Sequence, residues 1–257
     1  MLEPLRLPQT FVPAPDCLRE RVIVVTGSGA GVGRATALAC ARHGAHVVLH
    51  GRRQKKLEAL FDEIVATGAP EPTIVALDLA RATDLDFAAL ADAIGVQYGR
   101  LDGIVHCAVH LDQLRPLDDE PIDRWLAMFR VNLIATAALN RACQPLLRAA
   151  ADASVVVTVE THALAPSAFW GSFALAKQAL LGLTAIQAQE WRTFAHLRID
   201  ALLPGPIASP QRGRTHPAED GAHLRSAAAI APGYLYLLGT TGRGGTGRLL
   251  DMTPEAV

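Results

Sequence analysis

The chain has 257 residues and a formal net charge of −1, and half of its residues are apolar, which is enough for one large α/β core. The near-neutral charge excludes the broad basic field of a nucleic-acid-binding protein and the polybasic patch of a membrane-surface protein, so we expect neither partner. Its cysteines are widely spaced, with no C-x-x-C pair and no histidine at metal-ligand spacing, which predicts reduced thiols, a cytoplasmic protein and no metal. They are Cys17, Cys40, Cys107 and Cys143.

The first sixteen residues contain four prolines, at positions 4, 8, 13 and 15, so they cannot form the continuous apolar helix of a signal peptide. We interpret residues 1–20 as an arm that precedes a single domain over residues 21–257. The richest apolar stretch, 131–151, is interrupted by asparagine, glutamine and arginine, so no membrane span is expected.

Short β-rich runs alternate with longer alanine- and leucine-rich windows along the chain. This alternation is typical of βαβ units and predicts an α/β fold with one parallel sheet covered on both faces. The predicted strands are 22–26, 46–49, 73–77, 103–106, 155–159, 198–203 and 248–251. The predicted helices are 31–43, 55–67, 85–98, 122–149, 172–191 and about 231–238.

One long polar stretch, 208–226, is predicted to be irregular and follows the sixth predicted strand. Loops at that end of an open sheet usually cover a ligand, so we expect a substrate loop around residues 208–228.

A glycine-rich turn, Thr-Gly-Ser-Gly-Ala-Gly-Val-Gly at residues 26–33, joins the first predicted strand to the first predicted helix. Gly27 suits a sharp turn out of the strand, Gly31 a close approach of backbone to phosphate, and Gly33 tight packing of helix on sheet. An ordinary tight turn is the alternative. The strand before it, the helix after it and a second βαβ unit beyond favour a dinucleotide site.

The second predicted strand is followed by Gly51, Arg52 and Arg53, with no acidic residue to accept hydrogen bonds from a ribose 2′-hydroxyl. A guanidinium there suits a 2′-phosphate, which favours NADP(H) over NAD(H). The alternative is that both arginines are simply solvated at the start of a helix.

Motifs along most of the chain closely resemble those of the short-chain dehydrogenases/reductases. They are the T-G-x-x-x-G-x-G loop at 26–33, Asp78-Leu79, Asn132, Lys177 and the run Pro-Gly-Pro-Ile-Ala-Ser at 204–209. Within the family, Leu-Asp-Gly-Ile-Val-His at 101–106, Trp170-Gly171 and Thr246-Gly247 look most like the bacterial YciK-type oxidoreductases.

The resemblance implies a Rossmann-type doubly wound sheet of seven parallel strands in the order 3-2-1-4-5-6-7, and NADP(H)-dependent reduction of a carbonyl or oxidation of an alcohol on a small molecule. It also implies a homodimer or homotetramer through the two long helices. The cofactor-binding residues that it implies are Thr26, Gly27, Gly29, Gly31, Val32, Gly33, Arg52, Arg53, Asp78, Leu79, Ala108, Lys177, Pro204, Gly205, Ile207 and Ser209.

The same resemblance assigns roles to single residues. Asp78 would bind the adenine amino group, with the amide of Leu79 beside the ring. Lys177 would hold the nicotinamide ribose hydroxyls, and Asn132 would anchor the long helix and a proton-relay water. The run 204–209 would pack against the nicotinamide, with Ser209 in the usual threonine position.

Three positions depart from the family pattern. Phe173 stands where a tyrosine phenol would exchange a proton with the substrate oxygen, and it has no proton to give. Glu160, with Thr161 beside it, stands where a serine would hold the substrate carbonyl, and a carboxylate there would repel a developing alkoxide unless protonated. Val109 replaces a glycine, which suggests a narrowed nicotinamide end.

The candidate catalytic set is therefore Lys177, Asn132, Glu160 and Thr161, with His162 and His110 as further candidates to replace the phenol. A Glu160–Lys177 ion pair is one possibility, and plain charge neutralisation of the lysine is another. His162 also suits an ordinary surface-loop histidine.

Three functional hypotheses follow. One is an oxidoreductase with an unusual acid or water relay in place of the phenol. Another is an inactive NADP(H)-binding protein that acts as a sensor or partner subunit. The third, a scaffold that no longer binds the cofactor, is weakened by the intact glycine loop, Asp78 and Lys177.

Overall fold

The computed structural model describes residues 2–8 and 10–254. These residues form one sheet of eight parallel strands in the order β1-β8-β7-β6-β5-β2-β3-β4. The strands are β1 (Glu3–Leu5), β2 (Val22–Thr26), β3 (His46–Gly51), β4 (Thr73–Ala76), β5 (Gly103–His106), β6 (Ala153–Thr158), β7 (Leu197–Leu203) and β8 (Arg248–Asp251).

The seven predicted strands are present as β2 to β8 in the predicted order. The central ones are buried on both faces because helices cover both sides, and this is why they appear in the sequence as continuous apolar runs. The structure adds an eighth strand, in which Glu3 pairs with Arg248 at the edge of the sheet. Pro4 is tolerated in that strand because only one side of an edge strand is hydrogen-bonded.

Helices pack on both faces of the sheet in two apolar layers. One layer is built largely from α1, α2 and α8, and the other from α3, α5 and α6. No helix within the described residues is both long and apolar enough to cross a membrane. The helices are α1 (Gly31–Arg42), α2 (Gln54–Ala66), α3 (Asp84–Tyr98), α4 (Ile122–Phe129), α5 (Ala135–Ala149), α6 (Gly171–Glu190), α7 (Pro210–Thr215) and α8 (Ala231–Leu238).

The long helix predicted over 122–149 is interrupted. A π-helical turn, Arg130–Ile134, separates α4 from α5. Asn132 lies in this turn, and its side chain bonds to the backbone of His110, a contact that single-residue helix propensity cannot indicate.

The stretch predicted to be irregular after β7 contains the short helix α7. The Ser209 hydroxyl accepts a hydrogen bond from the Arg212 amide at 3.1 Å and so caps the helix, and Pro210 follows in its first turn. Ile207 forms an isolated bridge with Arg225, which closes the base of this segment.

Candidate active site

The glycine-rich loop between β2 and α1 passes close to the end of β5. Gly27 has a φ of +69°, and a Cβ added there would lie 2.8 Å from the Cα of Ala108. A Cβ added at Gly33, in the first turn of α1, would lie 2.5 Å from the carbonyl oxygen of Gly27. Both positions therefore require glycine, the first for the turn and the second for the packing of helix on loop.

Gly31 differs from its neighbours because the space beside it is open. Its φ is +56°, and a Cβ added there would meet no atom within 4 Å. Ala30, the residue before α1, gives no side-chain cap to the amides of the first turn. An open glycine before uncapped helix amides is an arrangement that fits the pyrophosphate of a dinucleotide.

The hydroxyl of Thr26 holds the loop that follows β5. Its Oγ1 accepts hydrogen bonds from the amides of Cys107 at 3.1 Å and Ala108 at 3.0 Å. Ser28 is tied in a similar way, because its Oγ donates to the carbonyl oxygen of His50 at 3.1 Å. The hydroxyls of Thr26 and Ser28 are therefore used to hold neighbouring loops in place. The backbone of the glycine-rich loop is left to contact a ligand.

The other residues of the loop pack against neighbouring elements. Val32 packs against the apolar layer of α1, α2 and α8. A Cβ added at Gly29 would lie 3.3 Å from the Cβ of Lys56 in α2, so glycine allows a close approach there as well.

Arg52 and Arg53 lie exposed between β3 and α2, and neither forms an ion pair or side-chain hydrogen bond with any described residue. Asp78 follows β4, and its Oδ1 accepts from the Ala80 amide at 3.1 Å. Leu79 is partly buried against the layer of α3, α5 and α6. Two uncommitted guanidinium groups at this edge fit the 2′-phosphate of NADP(H).

Asn132 fixes the loop after β5 to the π turn. Its Oδ1 accepts from the His110 amide at 2.9 Å, and its Nδ2 donates to the His110 carbonyl oxygen at 2.7 Å. Val109, which precedes this clamp, is 46% exposed and has a negative φ, so replacing glycine there adds no left-handed strain.

Lys177 lies on α6 and is 5% exposed. Its Nζ donates to the carbonyl oxygen of Thr158, at the end of β6, at 3.2 Å. Burial lowers the pKa of Lys177 to about 8, and the negative charge of Glu160 opposes that shift. The lysine is therefore held at the carboxyl edge of the sheet, where it can reach ribose hydroxyls.

The start of α6 is fixed by Glu120, which lies in the loop before α4. The two carboxylate oxygens of Glu120 accept from the Ser172 amide at 3.0 Å and from the Ser172 hydroxyl at 2.5 Å. Gly171 has a φ of +30°, and a Cβ added there would meet Oε2 of Glu120, so a larger residue would require this carboxylate to move. A carboxylate at a helix N-terminus also complements the helix dipole.

Phe173 lies in a small apolar cluster at the first turn of α6. It is 1% exposed, and its ring centroid is 5.8 Å from that of Trp170. Leu111 and Met128 complete the cluster together with Ala174. The neighbouring Phe169 lies outside this cluster: it is exposed and has a φ of +73°.

Glu160 pairs with His162 and not with Lys177, so the ion pair suggested by the sequence is replaced by a different one. The Nδ1 of His162 lies 2.9 Å from Oε2 and 3.1 Å from Oε1 of Glu160. The imidazole also stacks on the Trp170 ring, with centroids 3.6 Å apart and planes at 17°. Thr161 is exposed, and its side chain makes no hydrogen bond with the described residues.

Residues 204–209 follow β7 at the carboxyl edge of the sheet. Gly205 has a φ of +70°, and a Cβ there would lie 3.0 Å from the Cα of Thr253. The carbonyl oxygen of Pro204 accepts from Arg225 at 2.7 Å, and Ile207 is buried. The hydroxyl of Ser209 is an acceptor in the cap of α7, which leaves its proton free to be donated.

A buried polar chain behind the site was not predicted. His106 Nε2 lies 2.7 Å from Oδ1 of Asn140, whose Nδ2 donates to Gln187 at 2.8 Å. Burial lowers the pKa of His106 to about 4, so this imidazole is neutral near pH 7. The partners of His106 lie far away in the sequence. The only sequence signal for this hydrogen-bonded network was a histidine at the end of an apolar strand.

The fold and these motifs define a short-chain dehydrogenase/reductase. The chain matches the short chain dehydrogenase family over residues 21–220 and belongs to that family. The uncharacterized oxidoreductase YciK of Escherichia coli strain K12 is 34% identical over 244 residues, which make up 95% of this chain and 96% of YciK. The predicted likeness to the YciK-type oxidoreductases is confirmed.

Two similar solved structures hold a cofactor. A short chain dehydrogenase from Escherichia coli CFT073, complexed with NADPH, superposes with a TM-score of 0.91 at 35% identity and covers 94% of this chain and 100% of its own. One from Shigella flexneri 2a strain 301, complexed with NADP, gives 0.90 and 34% with coverages of 94% and 100%.

Proposed function

We propose that this chain is an NADP(H)-dependent oxidoreductase that reduces a carbonyl group or oxidises an alcohol with an altered catalytic set. The observation that carries the proposal is the open glycine loop before α1 on the same sheet edge as the buried Lys177, with Phe173 in place of a phenol. The loop is built to hold a dinucleotide, and the lysine is positioned to hold its nicotinamide ribose.

The cofactor would extend along the carboxyl edge of the sheet. Arg52 or Arg53 would pair with its 2′-phosphate, Asp78 and Leu79 would bind the adenine, and the run 204–209 would pack against the nicotinamide. The NADP and NADPH held by the two solved relatives support this preference. When bound, NADPH supplies a hydride, and the residues of this chain must orient the carbonyl and deliver a proton.

The second candidate function is an inactive NADP(H)-binding protein that serves as a sensor or a partner subunit. The burial of Phe173, which leaves no phenol beside the lysine, favours it. In both cases the protein would act in the cytoplasm as a homodimer or homotetramer, and the segment 208–228 would shape the pocket of a small-molecule substrate.

Two experiments separate these functions. Titration of the native protein with NADPH and NADH, followed by cofactor fluorescence, is expected to show saturable binding that is tighter for NADPH. Absence of binding by either cofactor would end both candidates. A screen of aldehydes and ketones with the native protein and with Phe173→Tyr then separates the two candidates. Turnover by the native protein refutes the inactive candidate, whereas turnover by the variant alone supports the inactive candidate.

A further inference from the structure

We propose that His162, oriented by Glu160, donates the proton that a tyrosine phenol gives elsewhere in the family during carbonyl reduction. This inference rests on the proposed NADP(H)-dependent activity and assigns the missing acid to a specific atom, Nε2 of His162.

The hydrogen bonds of Glu160 fix the tautomer of the imidazole. Nδ1 of His162 lies 2.9 Å from Oε2 and 3.1 Å from Oε1 of Glu160. The Oε1 atom also accepts a hydrogen bond from the backbone amide of His162 at 3.0 Å. A carboxylate on Nδ1 keeps a proton there and stabilises the imidazolium. Nε2 remains as the nitrogen that exchanges a proton, and it has no hydrogen-bond partner among residues 2–8 and 10–254.

The stacking of the ring places this nitrogen at the catalytic end of α6. The imidazole covers the Trp170 ring at 3.6 Å, and Trp170 contacts Phe173, whose ring centroid lies 6.0 Å from Nζ of Lys177. The side chain of His162 is 13% exposed, so it is ordered by packing yet accessible to a ligand. Because Glu160 occupies the family's serine position, its imidazole partner lies beside the expected place of the substrate oxygen.

Pairing also resolves the charge problem at this position. A lone carboxylate would oppose a developing alkoxide, whereas an imidazolium–carboxylate pair is neutral overall and can present an N–H to the substrate. The other titratable and charged groups around the Glu160–His162 pair are His216 across the Trp170 ring, the Arg212–Glu219 ion pair, and Lys177 of α6, on which the charge of Glu160 acts.

The chemical step balances with NADPH as the reductant. The carbonyl carbon gains a hydride from the bound cofactor, and the π electrons of the C=O bond move to oxygen. The Nε2–H bond of His162 then breaks, an O–H bond forms, and the product is an alcohol beside a neutral imidazole. Solvent returns a proton to Nε2. The proton on Nδ1 stays on the imidazole throughout, hydrogen-bonded to Glu160.

Another buried hydroxyl near the site is a poorer donor. Tyr234 is 0% exposed, and its hydroxyl lies 2.8 Å from that of Thr158 and 3.8 Å from Sγ of Cys107. Burial raises its pKa well above 10. It is therefore enclosed beneath the sheet edge, where no substrate oxygen can reach it.

The test compares His162→Gln and Glu160→Ala with native protein, using para-nitrobenzaldehyde and acetophenone as carbonyl probes. His196→Gln is the matched control. His196 lies just before β7, at the end of the strand away from the site, and its ring hydrogen-bonds to the carbonyl oxygen of Arg148. We expect His162→Gln to lower kcat about a hundredfold, within the usual range for a general acid, with NADPH affinity unchanged. Free imidazole should partly restore turnover to His162→Ala.

A readout without turnover tests the orienting role of Glu160. Long-range proton–nitrogen correlation spectra of labelled, cofactor-free protein should show the His162 proton on Nδ1, and this signature should be lost in Glu160→Ala. Equal kcat in native protein and His162→Gln, or a His162 proton on Nε2 alone, would overturn the inference while leaving cofactor binding intact. Native protein that binds NADPH but reduces neither probe would overturn it as well. Failure to bind NADPH would remove the proposed function itself.

Discussion

The Nζ of Lys177 lies 6.0 Å from the centroid of the Phe173 ring, one turn further along α6. This distance is at the outer limit of a cation–π contact. Lys177 donates instead to the Thr158 carbonyl oxygen. The pair therefore keeps a lysine suited to holding ribose hydroxyls and lacks a proton donor beside it, so binding and proton transfer must be tested separately.

Gly31→Ala tests the phosphate cradle, with Gly68→Ala as its control. Both glycines have positive φ, +56° and +74°, and neither has an atom within 4 Å of an added Cβ. Each substitution should therefore lower the free energy of unfolding by about 1 kcal/mol through backbone strain. Only Gly31→Ala should weaken the binding of NADPH, because its methyl group would enter the space that the pyrophosphate occupies.

Urea unfolding and NADPH fluorescence titration measure the two effects on the same preparations. Equal NADPH affinity in Gly31→Ala and Gly68→Ala would show that the dinucleotide does not approach this loop.

Arg52→Ala is expected to reduce the preference for NADPH. A charge-assisted pair with a 2′-phosphate contributes about 1.5–3 kcal/mol, so affinity for NADPH should fall about ten- to a hundredfold while that for NADH stays constant. Arg53→Ala, one residue on and similarly exposed, is the matched comparison. If only Arg53→Ala changes the preference, the role belongs to that guanidinium, and if neither does, the selectivity arises elsewhere.

The sheet could be predicted from the sequence because its central strands are buried apolar runs separated by longer alanine- and leucine-rich helices. The β1 strand could not, since Pro4 is a poor strand former and its pairing with β8 brings together opposite ends of the chain. The π turn likewise depends on Asn132 bonding across to His110. Non-local contacts of this kind leave little trace in local propensity.

The candidate site was predictable as a set of positions but not as a set of contacts. Residue matches located Lys177 and Glu160, whereas the partner of Glu160 depended on which way its side chain turned. The structure turns it to His162 because Glu160 caps the 3-10 turn Thr161–Ala163, in which the amide and the ring of His162 both face the carboxylate. Thr26, assigned to the cofactor, uses its hydroxyl on the neighbouring loop for a similar geometric reason.

Burial of Lys177 predicts a pH-dependent stability difference. Its pKa is about 8 in the folded protein against an ordinary value of 10.5, so the unfolded chain binds more protons between these values. Stability should therefore rise with pH in that window, by about 2.5 kcal/mol between about pH 8 and pH 10.5. This gain should appear as a rise, over the same pH range, in the unfolding free energy of native protein relative to that of Lys177→Met, and a pH-independent difference would contradict the buried ammonium.

Exposed apolar side chains on α4, the π turn and α6 predict self-association. They are Leu126, Ile134, Leu175 and Ile186. These three elements contact one another, and exposed apolar groups on adjoining helices suit a two-fold interface. Ile186→Asp should shift the native oligomer to monomer in sedimentation equilibrium, whereas Val65→Asp, at an exposed position on α2, should not. A monomeric native protein would refute the proposed homo-oligomer.

A crystal structure of the native protein grown with NADPH tests the central claim most directly. We expect the pyrophosphate over Gly31 at the start of α1, the nicotinamide ribose on Lys177, and the nicotinamide ring on the side of the sheet edge that holds Phe173 and His162. A cofactor bound away from the glycine loop, or a nicotinamide ring on the opposite side of the sheet from Phe173, would contradict the account.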